Sequence, residues 1–594
     1  MVAGGQSDEA SNPTPRPAPS PTLQPMPTDP TATSTSSSST AAVNASTPSK
    51  SSVKETLTSI IIAFALAFVF RGFVMEAFLI PTGSMAPTLL GQHIRFTSPQ
   101  SGFVWPTNTR DLNPTSAEPA PIQGSPSNPV EVTDPMTQAE VRGQSMPRRW
   151  GDRIFVIKYL YSVYEPSRWD VAVFKNPRDP SINYIKRLIG LPNEMVALVD
   201  GDVFVRPFTA EELRNPSSPT NPATQNPWGL SGWTCVAKPE RAQRAMWQPL
   251  FDSSFAPLSD TRDGRRWFTA PWLAPEADAS NWSIGAAPTY TYKGTTPTTL
   301  MWDEARLPIN DAVPYNEPMG VSPIRYPVSD IRVGAGIRPD IDGVTVAAFV
   351  RSRGHEFKAE ITGDKATLSM RPLASSLSPA SQPDQPWTSL GEATLPEPLA
   401  KGRVTNIDFW HADQTLSLYV EDQLVIARPY AWSIEDRVRH SMGFSLDQVL
   451  QAGALVPATT SYVRPSVGFA FSGGVTLHRV QLARDIFYRP DIYQSVNDAN
   501  QAHSRRGQPA AATHPAQNLV LTADQFFFCG DNSGASLDGR LWDKPEPWSA
   551  LIDPTTGIVP RDLLIGKAFF VYFPAPFRKQ GIPVPDFGET RWIW

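Results

Sequence analysis

The chain has 594 residues, a length that corresponds to roughly three to four domains. Proline, at 62 residues, is about twice its average share, while 40% of residues remain hydrophobic; this excludes a uniformly disordered chain and a collagen, and points to globular units joined by proline-rich connections. Charge is balanced, 52 basic against 57 acidic residues, so no global field points to nucleic acid, and with cysteine only at 235 and 529 a disulfide-rich scaffold and a multi-thiolate zinc site are excluded. A single pairing of Cys235 with Cys529 stays open.

Residues 1–52 lack aromatic residues and are dominated by Pro, Ser, Thr and Ala. Such a segment buries too little apolar surface to offset its ordering entropy, and a disordered tail is expected. An apolar run follows from Leu57 to Phe70 and resumes after Arg71. With Arg71 reaching the interface, 53–76 reads as a retained transmembrane helix. A signal-peptide core is the rival reading, but the run starts late and no small-x-small cleavage site follows it. Lys50 and Lys54 before the run, against Arg71 after it, favour a tail inside and the bulk of the protein outside.

Residues 93–149, rich in Pro, Asn and Thr, read as an irregular insertion. Short β-branched or aromatic runs then appear at Ile154–Ile157, Val171–Phe174, Tyr184–Ile189 and Met195–Val199, bounded by Gly, Pro and Asp. Another insertion covers 208–518, with linkers around a second β-rich region at about 231–490. There Leu416, Leu418 and Val420 alternate with Ser417 and Tyr419 before a turn into Leu424–Ile426, a hairpin with one buried face. Val344–Val350, Phe357–Ile361, Val467–Phe471 and Val475–Leu482 add strands at a spacing that suggests a sandwich. Strands return at Phe526–Phe528 and Lys567–Tyr572. The expected fold is mostly β, in three split pieces (77–92, 150–207 and 519–594) around the two insertions.

Three motifs carry chemistry. Ile80-Pro81-Thr82-Gly83-Ser84-Met85-Ala86-Pro87-Thr88-Leu89 places a serine on a stiff turn. Asn183-Tyr184-Ile185-Lys186-Arg187-Leu188-Ile189-Gly190-Leu191-Pro192 places a lysine inside an apolar strand. Gly530-Asp531-Asn532-Ser533-Gly534-Ala535-Ser536-Leu537-Asp538-Gly539-Arg540 is a polar loop whose two carboxylates are too few for a calcium site. None of the seven histidines falls in these motifs, so a Ser-His-Asp triad has no natural candidate. A lysine whose charged form is desolvated can instead serve a serine as base. The motifs call for no cofactor and no metal.

In this order (apolar helix, serine box, Gly151-Asp152-Arg153, lysine box, Gly-Asp-Asn box, Val559-Pro560) the motifs resemble the bacterial type I signal peptidases, membrane-bound Ser–Lys proteases that remove secretory signal peptides. The resemblance covers roughly 55–92, 150–207 and 520–575. It implies Ser84 as nucleophile, Lys186 as general base, Ser536 as the hydroxyl orienting the lysine amine, and Thr82 as an oxyanion-hole donor beside the Ser84 N–H. Phe78, Ile80, Met85, Leu89, Tyr184 and Ile185 are then expected to line shallow pockets for small residues, with core packing as the alternative. Arg187, Asp531, Asp538 and Arg540 match structural ion-pair positions, and Gly539 replaces a serine common in relatives. The resemblance also implies the inner membrane as location, a single pass with the catalytic domain outside the cytoplasm, and precursor proteins and lipid as partners. The stretches Gly402–Ile426 and Val467–Tyr488 look like a concanavalin-like or laminin-G-like jelly roll, in which Trp410 and Tyr419 either contact sugar or fill the core; a glycan or protein ligand is possible there. The alternative to a protease is a surface-anchored carbohydrate- or protein-binding protein with an inactive peptidase core.

Overall fold

The computed structural model describes residues 51–108, 122–123, 130–143, 145–207, 226–256, 261–262, 265–266, 270–284, 288–319, 324–373, 385–452, 462–493, 507–579 and 582–594. The tail expected at 1–52 lies outside these residues except for its last two, which open helix α1, Ser51–Val69. No helix among the described residues is long and apolar enough to cross a membrane. Of the single span expected over 53–76, α1 covers the part up to Val69. α1 spends its first turn on Ser51, Ser52 and Lys54, and the chain leaves α-geometry at Phe70–Val74 before entering strand β1, Met75–Leu79.

β1 pairs antiparallel with β2, Arg153–Ile157. Strands β3 (Val171–Asn176), β4 (Asp179–Gly190), β5 (Glu194–Val199), β6 (Asp202–Pro207), β7 (Leu519–Leu521), β8 (Gln525–Cys529) and β9 (Leu564–Phe573) complete the split unit. One sheet runs β1-β2-β9-β3-β4-β8 and ends on Val559–Pro560; a second runs Thr234–Cys235, β6, β5, β7. β5 and β6 are joined through Asp200 and Gly201, both at positive φ (51° and 86°), the backbone a tight hairpin turn with right-handed strand twist demands. Every sheet neighbour of β8 and β9 precedes the large insertion except those in the C-terminal piece itself. The β4–β8 pairing, for instance, brings Arg187 opposite Cys529. Both cysteines are free.

The expected strands of the insertion form two facing sheets, eight-stranded and seven-stranded. One presents Val333, Ile337, Phe409, Leu418 and Leu477, the other Val346, Val350, Phe357, Leu368 and Phe469, and these residues form one buried apolar core. The predicted hairpin is present, Thr415–Val420 with Gln423–Pro429, turning on Glu421 and Asp422 at positive φ. Trp410 and Tyr419 are 4% and 3% exposed, meet with ring centroids 4.3 Å apart and planes tilted by 37°, and are covered by the Arg244 guanidinium. Their ring faces are therefore taken, and of the two readings core packing is the one the structure supports.

The described residues of the expected 93–149 insertion are more ordered than its composition implies; 109–121, 124–129 and 144 lie outside them. His93–Thr97 pairs with Val104–Asn108 and Arg148–Arg149, and Val130–Thr133 pairs with Glu140–Gly143. Ile94, Phe96, Trp105, Val132 and Val141 make a small core of their own. Its apolar residues are few and spread over the segment, which is why the polar texture hid them.

A buried ionic cluster fastens the sandwich to the split unit. Asp200 at the β5–β6 turn accepts from Arg353 at 2.7 Å and from Arg437 at 2.9 Å, and Asp202 pairs with Arg437. Arg353 also holds Asp330 at 2.6 Å, while Lys238 bridges Asp413 and Asp485 at 2.7 Å each. Asp330, Asp413 and Asp485 converge closely enough to hold an ion, but the Lys238 ammonium and the Arg353 guanidinium already supply the positive charge there.

Candidate active site

Side-chain alternation along β4 sends Lys186 to the face shared with Tyr184 and Leu188, and Arg187 to the opposite face. Ser84 sits on the turn after β1, where Ala86 N–H donates to Gly83 O at 3.0 Å and Leu89 N–H to Met85 O at 2.9 Å. That turn is tied back by Asp152, fully buried, which accepts from Leu90 N at 3.0 Å, Ala575 N at 3.1 Å and Arg591 at 2.9 Å. Lys186 Nζ lies 2.7 Å from Ser84 Oγ, although the two are 102 residues apart. Its second partner is the Ile185 carbonyl at 3.1 Å. Among the described residues no carboxylate touches the amine. Burial lowers the Lys186 pKa to about 8, against the opposing pull of the Asp538 and Asp531 carboxylates.

The Gly-Asp-Asn loop packs over this pair. Asp531 forms a two-pronged bond with Arg187, Nε to Oδ1 at 2.7 Å and Nη2 to Oδ2 at 2.6 Å, with no solvent-exposed side-chain surface on either partner. Thr88 Oγ1 donates to the same carboxylate at 2.6 Å, and Arg187 Nη1 donates to the Trp169 and Trp594 carbonyls at 2.7 Å. Asp538 accepts from Gly530 N at 2.8 Å and from Arg540 Nε and Nη2 at 2.9 Å each. These bonds hold the loop; none of them reaches Ser84 Oγ or Lys186 Nζ.

Several expectations change at this level. Ser536 is 5% exposed and near the pair, but its Oγ has no hydrogen-bond partner, so the expected bond to the lysine amine is not made in this arrangement. Thr82 is exposed on the serine turn. Ile80, Met85 and Leu89 are 2%, 0% and 0% exposed and pack with Ile154, Val156, Val173 and Val571. They fill the interior of the split unit and leave no surface for a substrate, so pocket lining is corrected to core packing for these three. Phe78, Tyr184 and Ile185 remain half-buried beside the pair. A serine at 539 has no room: a Cβ there would come within 2.6 Å of the Gly557 carbonyl oxygen. Sequence reasoning also passed over Thr88, Asp152, Asn532 and, in the insertion, Tyr315 and Asn316. Asn532 stands inside a quoted motif and Asp152 in another, whereas nothing in the sequence connects Asn316 with a serine 232 positions before it.

Known proteins bear on this arrangement. Residues 133–237 and 483–573 match the family model described as "Signal peptidase, peptidase S26". The two matched pieces flank the large insertion and contain Lys186 and the Gly-Asp-Asn loop; Ser84 lies before them. The signal peptidase I of Rickettsia typhi (strain ATCC VR-144 / Wilmington) is 27% identical over 161 residues, which is 27% of this chain and 46% of the relative. That of Buchnera aphidicola subsp. Acyrthosiphon pisum (strain APS) is 29% identical over 149 residues, 25% of this chain and 32% of the relative. The chain thus spans less than half the length of these curated relatives. Among solved structures, a carbohydrate-binding module from Bacillus subtilis (10% identity, TM-score 0.20) covers 36% of this chain and 96% of its own. A laminarinase from Rhodothermus marinus (10% identity, TM-score 0.23) covers 40% and 98%. The resemblance carried by the motifs holds to this extent: two pieces of the chain are similar to the peptidase S26 signal peptidases, and a β-sandwich lies between them.

Proposed function

We propose that the protein is a membrane-anchored serine endopeptidase that removes signal peptides from secreted precursors. The observation that carries this reading is the 2.7 Å contact between Lys186 Nζ and Ser84 Oγ, made by an amine without a carboxylate partner among the described residues. At pH near 8 a large share of that amine is neutral and can take the Ser84 proton as the hydroxyl attacks the scissile carbonyl. The Lys186 ammonium then returns the proton to the leaving amine. The acyl group on Ser84 is released by a water that gives its proton to the neutral lysine, and the regenerated ammonium protonates Ser84 Oγ as it departs. The Ser84 N–H and Thr82 donate to the developing oxyanion, where each donor is worth about 3–4 kcal/mol. Ser536, poised with an unused hydroxyl, orients the lysine amine once the site rearranges around substrate. Phe78, Tyr184 and Ile185 form the small-residue pockets.

Anchoring rests on α1, which exposes Ile60, Ile61, Ile62, Phe64, Leu66, Phe68 and Val69. A helix apolar around most of its girth is matched to lipid rather than water. The inner membrane, with the peptidase on its outer side, puts the site where precursors emerge. An inactive core serving only as a binding protein is disfavoured by the intact serine–lysine contact.

The test is cleavage of an Ala-x-Ala precursor by full-length protein in detergent or vesicles. Ser84→Ala and Lys186→Ala are each expected to abolish cleavage while melting stays cooperative. Wild-type-like cleavage by either variant overturns the reading, and recovery of the protein in the soluble fraction after cell lysis overturns the anchoring.

A further inference from the structure

Between the sandwich strands Thr298–Trp302 and Ile331–Pro339 the chain makes a short turn, Pro314–Met319, that leaves the sandwich and lands on the serine turn. Tyr315, 3% exposed, packs against Ala86 and Leu90 and donates its hydroxyl to Gln92 O at 3.3 Å. Its ring fills the space where a side chain at 83 would stand: a Cβ on Gly83 would come 2.1 Å from Tyr315 Cε1. Asn316, 6% exposed, meets Asn532 amide to amide, Nδ2 to Oδ1 at 2.6 Å one way and 2.7 Å the other. Asn532 spends its other Nδ2 proton on Gly83 O at 2.9 Å, and its backbone N–H on Ser84 O at 3.1 Å.

The direction of these bonds is fixed by chemistry. The Gly83 carbonyl can only accept, so Asn532 must present its Nδ2 there. Asn316 must then offer its oxygen to that same nitrogen and its own Nδ2 to the Asn532 oxygen. Both Asn316–Asn532 bonds are buried, so neither amide has water as a substitute. The Gly83 carbonyl and the Ser84 N–H belong to one planar peptide unit and point in opposite directions. Whatever aims the carbonyl aims the N–H.

We infer that Asn316, supplied by the inserted domain, is a positioning residue for the Ser84 N–H that faces the developing oxyanion, acting through Asn532 and the Gly83–Ser84 peptide. This rests on the peptidase reading above. It makes the insertion part of the active-site architecture, because the serine turn is buttressed by Tyr315 and oriented by Asn316. An interaction of this kind is felt when charge builds on the oxyanion and hardly in the bound ground state.

The experiment uses full-length protein and two readouts: steady-state cleavage of an Ala-x-Ala precursor, and the rate at which a short activated ester acylates Ser84, followed by intact mass. Asn316→Ala is expected to lower kcat and the acylation rate about 10- to 100-fold, with KM within about twofold of wild type and the pH midpoint of activity unmoved. In an Asn532→Ala background the same change is expected to add less than about twofold, since the relay is already cut. Asn316→Asp, which keeps the volume and one acceptor but sets a carboxylate oxygen against Asn532 Oδ1, is the second variant should the alanine melt. Unchanged kcat in a folded Asn316 variant, or the full loss repeated on top of Asn532→Ala, overturns the inference. A wild-type chain that acylates at Ser84 yet leaves precursors uncut overturns the substrate reading alone, and the acylation rates then decide the role of Asn316.

Discussion

Lys186 carries a cost that the proposed base role requires. Its amine is buried, with a neutral hydroxyl and a carbonyl as its bonds, and its pKa falls from 10.5 to about 8. Activity that needs the neutral amine therefore rises with pH through about 8 and levels off above it; a profile falling between pH 7 and 9 in folded protein contradicts a lysine base. Stability follows the same group with a definite sign. Between pH 8 and 10.5 the unfolded lysine binds a proton that the folded one lacks, so folding gains as pH rises through that window. Below pH 8 the whole penalty is present, on the order of 3 kcal/mol. Lys186→Met, close in volume and uncharged, is expected to be inactive yet to raise the melting temperature at pH 7, an advantage that shrinks toward pH 10.5. A lower melting temperature at pH 7 would show that the amine is a net stabiliser.

At the scale of elements, β4 serves two faces at once, with Lys186 toward the serine turn and Arg187 toward the loop that closes over it. The Arg187–Asp531 pair is fully buried and joined by Thr88, so each of the three motifs contributes to one knot. Removing one partner strands the other charge, and Asp531→Ala is expected to cost about 3–5 kcal/mol in chemical denaturation, with loss of activity as a consequence. This knot was partly legible in the sequence. The motifs announce themselves by Gly, Pro and charge in apolar surroundings, and strands such as Val171–Phe174 and Met195–Val199 show as apolar runs between breakers. The pocket assignments failed for Ile80, Met85 and Leu89 because an apolar residue beside a reactive one looks the same whether it faces substrate or core. The helix expected over 53–76 was read from hydropathy, which does not register that Met75–Leu79 gains ladder bonds from Arg153–Ile157 far along the chain. Asn316 was illegible for a related reason: its meaning comes from one contact across 216 residues.

For the whole molecule, the ionic cluster decides whether the inserted domain is an appendage or a structural part. Arg353 and Arg437 reach from the sandwich side to Asp200 and Asp202 on the β5–β6 hairpin with almost no exposed surface. Charges so deeply withdrawn from water are tolerable only while their partners stay in place. Wild type is expected to unfold in one calorimetric transition covering the split unit and the sandwich. Arg437→Ala is expected to separate it into two or to lower the whole by several degrees. An unaltered single transition in that variant would mean the cluster contributes no coupling.

The pairing of β4 with β8 also sets a schedule. Arg187 leaves the ribosome well before Cys529 and Asp531, and at about 5–20 residues per second the 341 intervening residues take on the order of half a minute. Throughout that interval Ser84 and Lys186 already exist, but the strand and loop that enclose them do not. The long detour thus sets a delay: a nascent chain can hold both side chains without yet holding the strand and loop that complete the site.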